Sequence, residues 1–255
     1  MLGDLPLAYQ DRPALRTTSG VVSYGRLGRA ATVVAARLAA RGVRAGDLVP
    51  VLLPRSPALV ATLLGVLRLG AGYAALDPRW PDQRIAVTGA ALTAPVTVTD
   101  EPGRVDGDTW DPAGVFDEPA PVLDLPAVGP DAVSTVFFTS GSTGRPRGVL
   151  STHRATDELF RPGGLPLRLD STTVMAQAAP PSWDALTLEL WGPLRNGGTS
   201  VLIDGDHLTP AALRHHIARD GLNTLWLTSS LFNLFVDEDI GSFAGSTQLA
   251  IGGER

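Results

Sequence analysis

Residues 48–76 read LVPVLLPRSPALVATLLGVLRLGAGYAAL, and two kinds of pattern alternate within them. Leu48 to Leu53 is an apolar run of the length of a strand. Ser56-Pro57 then supplies a capping hydroxyl and a proline suited to the first turn of a helix, which is predicted over residues 58–69. A second short strand is predicted over residues 73–76. This order of strand, helix and strand predicts a βαβ unit with parallel strands.

The same alternation extends along the chain in both directions. A helix is predicted to end before Gly42, and a helix over 81–92 is followed by a strand over 96–99. Later strands are predicted at 133–138, 172–177, 199–203, 224–228 and 248–251, with helices starting near Ser151, Ser182, Thr209 and Leu231. We therefore expect an α/β fold of two subdomains, whose mainly parallel sheets are flanked by helices.

Residues 100–131 interrupt this alternation. They contain nine acidic residues, one arginine and six prolines, a composition typical of an exposed connection. The predicted domains are a first α/β subdomain over 1–99, this acidic proline-rich connection over 100–131, and a second α/β subdomain over 132–255. Since the last predicted strand lacks a helix after it, we expect these residues to be part of a larger unit.

Composition limits the possible classes of function. The chain has 255 residues and a net charge of −5, which gives no electrostatic basis for nucleic-acid binding. It contains no cysteine and no lysine, so disulfides, thiolate catalysis and lysine chemistry are excluded from these residues. No leader-like or membrane-spanning apolar segment is present, and the expected location is the cytoplasm. His207, His215 and His216 lack the spacing of a zinc motif, and no metal site is expected here.

A loop rich in glycine and hydroxyl residues, TSGSTGRPRG at 139–148, follows the strand predicted at 133–138. Its glycines let backbone N–H groups approach a ligand, its hydroxyls add donors and its arginines add positive charge, all of which suit a polyphosphate. It is not a Walker loop, because Pro146 stands where the second glycine is required and no lysine follows. On these residues alone, a flexible surface turn is an equal alternative.

The loop resembles the signature loop of adenylate-forming enzymes, the superfamily of acyl-CoA synthetases, luciferases and the adenylation domains of nonribosomal peptide synthetases. Most members carry lysine where Arg147 stands. Other segments resemble the family in the expected order, namely VSYGRL at 22–27, LRLGAGYAALDP at 67–78, WDA with ELW within 183–191, and LAIGGE at 249–254. The chain is thereby identified as the N-terminal portion of an amino-acid adenylation domain, without the small C-terminal domain.

The resemblance implies a reaction in which ATP and an amino acid give an aminoacyl adenylate and pyrophosphate. Thr139 and Arg147 would act in catalysis, with Arg147 stabilising the departing pyrophosphate. The implied cofactor-binding residues are Thr139, Ser140, Gly141, Ser142, Thr143, Gly144, Gly253 and Glu254. Mg²⁺ is implied with ATP, and its ligand is expected beyond Arg255. His153 is expected to support this site.

Asp184 matches the family position that pairs with the α-ammonium group of the substrate. A carboxylate at a helix start also stabilises its own helix, so the residue by itself leaves both roles open. The implied substrate-binding residues are Asp184, Ala185, Leu188, Leu231, Ala250 and Gly252. Apart from Asp184 they are small or apolar, which favours a hydrophobic amino acid and equally suits an ordinary core.

The resemblance also implies a peptidyl carrier protein whose phosphopantetheine thiol accepts the acyl group, and some family members need a small MbtH-like companion. Two other functions stay open. An acyl- or aryl-CoA synthetase is disfavoured by Asp184, since its substrates carry no ammonium group. A non-catalytic half-domain that binds partners is the second, because the segments for adenine and ribose and the catalytic lysine lie outside these residues, and we expect weak activity from them alone.

Overall fold

The computed structural model describes residues 2–140, 146–161 and 163–253. Its strands are β1 (Pro13–Thr17), β2 (Gly20–Ser23), β3 (Leu48–Leu52), β4 (Gly72–Leu76), β5 (Val96–Thr99), β6 (Asp108–Trp110), β7 (Val133–Ser140), β8 (Pro146–Thr152), β9 (Val174–Gln177), β10 (Thr199–Leu202), β11 (Thr224–Thr228) and β12 (Gln248–Gly252). Its α-helices are α1 (Tyr24–Ala40), α2 (Pro57–Arg68), α3 (Asp82–Gly89), α4 (His153–Leu159), α5 (Gly192–Arg195), α6 (Pro210–Asp220) and α7 (Ser229–Asp239). A π-helical turn, Thr187–Trp191, directly precedes α5.

The chain divides into two compact units, each with one six-stranded sheet among the described residues. Unit 1 consists of Met1–Leu5, Gly25–Leu159 and Pro181–Asp184, and unit 2 consists of Pro6–Tyr24, Phe160–Pro180 and Ala185–Arg255. This division differs from the boundaries predicted at 99 and 131. The difference arises because β1 and β2 pair with strands from late in the chain, whereas β7 and β8 pair with early ones.

The sheet of unit 1 has the strand order β6-β5-β3-β4-β7-β8. Its neighbouring strands are parallel except for β7 and β8, which form an antiparallel pair. Helix α2 is buried from Leu59 to Leu67, in keeping with its apolar character on every face. Its first turn is capped as the sequence predicts, because the Ser56 hydroxyl accepts a hydrogen bond from the Leu59 N–H at 3.1 Å. Gly65 gives α1 room to approach, since a Cβ there would lie 2.5 Å from Cγ1 of Val34.

The sheet of unit 2 has the strand order β12-β11-β9-β10-β1-β2 and is parallel except for the β1–β2 pair. Helix α6 begins at the predicted cap, where the Thr209 hydroxyl accepts from the Ala212 N–H at 3.2 Å. It ends at Gly221, whose φ of +68° suits glycine. The core joins α6, β11 and α7 through fully buried Leu213, Leu225 and Phe235. Two mainly parallel sheets flanked by helices therefore form, as the alternating pattern predicts.

Two local predictions need correction. The segment predicted as a connection supplies an edge strand, because β6 pairs in parallel with β5 and sets Asp108 opposite Val96. The helix predicted to start at Ser182 begins at Ala185 instead. Residues 181–184 form turns, and the buried Ser182 hydroxyl has no hydrogen-bond partner among the described residues.

Candidate functional site

The candidate phosphate loop, residues 139–148, includes the connection between strands β7 and β8 of unit 1. In the antiparallel register Thr139 is opposite Arg147, and Ser140 is opposite Pro146. Thr139 and Arg147 are both exposed. The remaining predicted loop residues, Gly141, Ser142, Thr143 and Gly144, lie outside the described residues. The structure thus brings the two residues predicted for catalysis together, with one hydroxyl donor and one cation flanking the loop.

The far end of this hairpin is anchored by polar contacts. The Ser134 hydroxyl donates to the Ser151 carbonyl at 3.1 Å, which joins the two strands. Arg154 donates two hydrogen bonds to Asp131, at 2.7 and 3.0 Å, and these bonds hold the pKa of the Asp131 carboxyl below its usual range. His153 is fully buried, and its Nδ1 accepts from the Leu2 N–H at 3.3 Å. His153 therefore contacts the start of the chain at the base of the hairpin, and its expected supporting role at the loop stays a prediction.

Asp184 is the last residue of the turn that precedes the helix starting at Ala185. Its side chain is exposed, as is that of the neighbouring Trp183, which keeps 48% of its surface accessible. A carboxylate just before a helix start lies near the positive end of the helix dipole, which stabilises its charge. The position therefore suits an exposed anion that can receive a cationic group.

The other predicted substrate residues lie at one edge of the unit 2 sheet. Ala185 and Leu188 follow β9, Leu231 lies in the first turn of α7 after β11, and Ala250 and Gly252 belong to β12. Because β9, β11 and β12 are adjacent parallel strands, their carboxyl ends meet at the same edge, where α/β proteins bind ligands. Parallel pairing thus brings the carboxyl ends of β11 and β12 side by side, and Ala185 and Leu188 lie in the segment that follows the adjacent strand β9.

These residues also contribute to packing. Ala185 and Leu188 are each only 8% exposed, and Leu231 packs against the core of unit 2. Ala250 and Gly252 are half-buried. The arrangement presents small and apolar surfaces, so it can accommodate an apolar side chain more readily than a charged one. Gly253 is exposed with a φ of +105°, and Glu254 lies outside the described residues.

Sequence reasoning missed two residues of this edge. Trp226 on β11 is half-buried beside Gly252, where a Cβ would lie 3.2 Å from its Nε1. Glu189 is 1% exposed, and its carboxylate accepts hydrogen bonds from the backbone N–H groups of Ala178 and Ala179. Two sequence signals pointed to Glu189: its place in the ELW segment that resembles the family, and its being a single acidic residue inside an apolar helical stretch, where a charge is costly unless it is partnered.

Comparison with known proteins gives the family. The family described as AMP-binding enzyme matches residues 6–255. The chain belongs to this family. Its sequence is 33% identical over 259 residues to a linear gramicidin synthase of Brevibacillus parabrevis, covering 97% of this chain and 5% of that protein. It is 34% identical over 256 residues to malpibaldin synthetase of Mortierella alpina, covering 91% of this chain and 4% of that protein.

Solved structures give the same result for this AMP-binding enzyme chain. One similar structure is that of PA1221, a nonribosomal peptide synthetase protein containing adenylation and PCP domains bound to a vinylsulfonamide inhibitor. It is 29% identical to this chain with a TM-score of 0.85, and the match covers 97% of this chain and 43% of the PA1221 chain. The NpsA N-terminal subdomain of Klebsiella oxytoca, in complex with 3-hydroxybenzoyl-AMSN, shares the fold with a TM-score of 0.86 at 24% identity, over 97% of this chain and 64% of its own. The predicted fold class and the predicted family are confirmed.

The described residues include groups that suit the phosphates of the implied ATP, but none that we assign to the implied Mg²⁺. The hydroxyl of Thr139 and the guanidinium of Arg147 are donors that fit phosphate oxygens. Within residues 2–140, 146–161 and 163–253, no group of three or more His, Cys, Asp or Glu side chains could hold a metal ion, and we assign no residue to Mg²⁺. Among the same residues, none of the helices has the length and apolar character needed to cross a membrane.

Proposed function

We propose that this AMP-binding enzyme chain is part of an adenylation domain that activates an amino acid with ATP, giving aminoacyl-AMP and pyrophosphate. The observation that carries the proposal is the β7–β8 hairpin, which places Arg147 opposite Thr139 where the TSGSTGRPRG loop begins and ends. The chain is similar over nearly its whole length to synthetases such as the linear gramicidin synthase of Brevibacillus parabrevis, although it spans about 5% of that protein. The activity of such a whole protein is therefore part of the proposal.

On the phosphate side, the loop from Thr139 to Gly144 holds the β- and γ-phosphates, with backbone N–H groups and hydroxyls as donors. Arg147 stabilises the negative charge that develops on the departing pyrophosphate. Arginine offers a planar fork of donors where lysine would offer a point charge, so Arg147 can bind two phosphate oxygens at once. Gly253 and Glu254 complete the nucleotide side, and Mg²⁺ accompanies ATP through a ligand outside these residues.

On the amino-acid side, the exposed carboxylate of Asp184 accepts hydrogen bonds from the α-ammonium group. The side chain of the substrate lies against the small and apolar residues at the carboxyl edge of the unit 2 sheet, namely Ala185, Leu188, Leu231, Ala250 and Gly252. A hydrophobic amino acid fits these surfaces without leaving a buried polar group unpaired. An acyl- or aryl-CoA synthetase would leave Asp184 without a cationic partner.

The acyl group then passes to the phosphopantetheine thiol of a peptidyl carrier protein. The structurally similar PA1221 combines adenylation and PCP domains, which supports a carrier domain as the acceptor. An MbtH-like companion and a cytoplasmic location remain part of the same proposal, by analogy with the family that the sequence resembles.

The test is amino-acid-dependent exchange of pyrophosphate into ATP, measured on protein expressed from the complete reading frame. We expect exchange with hydrophobic amino acids. Asp184→Asn should raise the KM for the amino acid about 10- to 100-fold, because a hydrogen bond between charged groups is worth about 1.5–3 kcal/mol, and leave the KM for ATP unchanged. Asp124→Asn, at an exposed position of the acidic segment, is the matched control and should change neither constant.

The substrate panel separates the remaining functions. Exchange with aryl or fatty acids and none with amino acids would favour the CoA synthetase alternative. ATP binding without exchange for any acid would favour a non-catalytic binding module. An unchanged amino-acid KM in Asp184→Asn would remove the proposed role of Asp184 even if exchange occurs.

A further inference from the structure

We propose that Glu189 is a positioning residue, whose buried carboxylate fixes the turn that presents Asp184 to the amino acid. The proposal rests on the proposed function of Asp184. Glu189 is 1% exposed, and its Oε2 accepts from the N–H of Ala178 at 2.9 Å and from the N–H of Ala179 at 2.8 Å. Because the carboxylate is buried and already bound to the backbone, its role is to hold the protein rather than to contact substrate.

The main chain of Glu189 is fixed as well. In a regular helix the Glu189 carbonyl would accept from the N–H of residue 193, but Pro193 has no N–H. The buried hydroxyl of Ser200, on β10, donates to that carbonyl at 3.1 Å instead. The departure from α-helical bonding appears as the π-helical turn Thr187–Trp191, a feature often found at functional sites. Glu189 is therefore attached to β10 through its backbone and to the residues after β9 through its side chain.

These attachments determine where Asp184 can be. Ala179 is held by the Glu189 carboxylate, and Ala185 belongs to the helical segment that also carries Glu189. Only residues 180–184 lie between these two points, and Pro180 and Pro181 restrict their backbone further. A five-residue connection with fixed ends and two prolines has few conformations available. The Glu189 carboxylate thus limits the positions of Asp184 through the backbone that connects them.

The test compares two substitutions of similar size. Glu189→Gln keeps a side-chain carbonyl oxygen that can accept from both N–H groups, whereas Glu189→Leu keeps the volume and removes the acceptor. In the pyrophosphate-exchange assay on the complete protein, Glu189→Leu should raise the amino-acid KM about 10- to 100-fold, as expected when a binding group shifts by about 1 Å, and leave the ATP KM within about twofold. In Glu189→Gln, the amino-acid KM and the ATP KM should both stay within about threefold of their values in the unchanged protein.

A matched control separates positioning from general loss of stability. Leu213→Ala creates a cavity in the same unit, in α6, at a residue that is fully buried. If Leu213→Ala reproduces the rise in amino-acid KM, the effect of Glu189→Leu is only structural and the proposal fails. An equal rise of both KM values in Glu189→Leu would overturn it as well.

Hydrogen exchange provides a readout that does not depend on activity. The amides of Ala178 and Ala179 should exchange at least about tenfold faster in Glu189→Leu, because these two N–H groups no longer have the carboxylate that accepts their hydrogen bonds. In Glu189→Gln and Leu213→Ala, which keep an acceptor at position 189, the same two amides should exchange little faster. Unchanged exchange of these amides in Glu189→Leu would overturn the proposal. A complete protein that shows no amino-acid-dependent reaction would overturn the proposed function instead, and the amide exchange would still report whether Glu189 holds this turn.

Discussion

Within unit 2, the buried hydroxyl of Tyr24 bonds to the loop before β10. Tyr24 is 2% exposed, and its hydroxyl donates to the Gly198 carbonyl at 2.6 Å. The neighbouring ring of Tyr9 lies against Gly197, where a Cβ would be 2.3 Å from Cε2 of that ring. Burial raises the pKa of the Tyr24 hydroxyl far above its ordinary value of 10.0 and outweighs the charge of Arg12, which lowers it. The folded state therefore favours the protonated phenol.

Tyr24→Phe tests this contact. The substitution leaves the Gly198 carbonyl without its donor, so unfolding in urea at pH 7 should show a loss of about 1–3 kcal/mol. Because the pKa is raised on folding, the contribution of Tyr24 is fully present below pH 10 and is lost as the pH rises above that value. The stability difference between the two proteins should accordingly narrow above pH 10. A difference that stays constant to pH 11 would show that the hydroxyl is not protected by burial.

The site residues differ in how well they could be predicted from the sequence. Thr139 and Arg147 are only eight positions apart and lie on the paired strands β7 and β8, so a local pattern suffices to bring them together. The role of Glu189 could not be predicted in this way. It depends on the backbone of Ala178 and Ala179 and on the hydroxyl of Ser200, which are ten or eleven positions away and outside the helical segment that carries Glu189.

Among the structural elements, the helix starts also differ in how well the sequence predicts them. Ser56 and Thr209 cap the helices that follow them, because each hydroxyl meets an N–H three residues later in the same turn. Ser182 lacks the proline that follows Ser56 and Thr209, its hydroxyl bonds to none of the described residues, and the helix begins only at Ala185. The hydroxyl-plus-proline pattern is thus the cap signal that predicts a helix start in this chain.

The acidic segment is held along helix α1 by arginine side chains. The guanidinium of Arg41 lies 5.3 Å from the ring centroid of Trp110, that of Arg26 lies 5.3 Å from the ring of Phe116, and Arg37 forms an ion pair with Glu118. The composition correctly indicated exposure for most of this segment. The aromatic residues Trp110 and Phe116 were the sequence signal that part of the segment packs against a helix, because aromatic rings offer faces that bind cations.

We expect the double substitution Arg37→Gln and Arg41→Gln to release this segment with little effect on the fold. Cation–π contacts at exposed sites are worth about 0.5–1 kcal/mol and exposed ion pairs about 0.2–1 kcal/mol, so the free energy of unfolding should fall by no more than about 2 kcal/mol. Cleavage of the Phe116–Asp117 bond by a protease that cuts on the N-terminal side of aspartate should become several-fold faster. High salt should have a similar but smaller effect on the unchanged protein, since it screens the ion pair.

Arg29→Gln, at an exposed position of the same helix, is the matched control for this experiment. It should leave the rate of cleavage before Asp117 unchanged. Equal acceleration by Arg29→Gln would mean that the charge of α1 as a whole, rather than these two contacts, holds the acidic segment.

At the scale of the whole molecule, neither compact unit is a continuous stretch of sequence. Strand β1 pairs in parallel with β10, which sets Leu15 opposite Ser200 across 185 positions of sequence, so the first strands complete a sheet whose other members come from the second half of the chain. Local periodicity predicted most of the strands, but it could not predict which sheet each would join. Pairing between distant strands depends on which apolar faces become buried together, and a single sequence does not show this.

Two matched core substitutions test whether each unit is stabilised by its own sheet. Leu15 in β1 and Leu52 in β3 are both 0% exposed, and either change to alanine should cost about 2–5 kcal/mol. Hydrogen exchange should show that Leu15→Ala lowers the protection of amides in β10 more than the protection of amides in β4. Strand β10 begins at Thr199, 184 residues after Leu15, and lies in the same sheet as β1. Leu52→Ala should show the reverse order. Equal losses in both sheets from both variants would instead mean that the two units unfold as one cooperative block, and that the interleaved chain path couples them more strongly than either sheet stabilises itself.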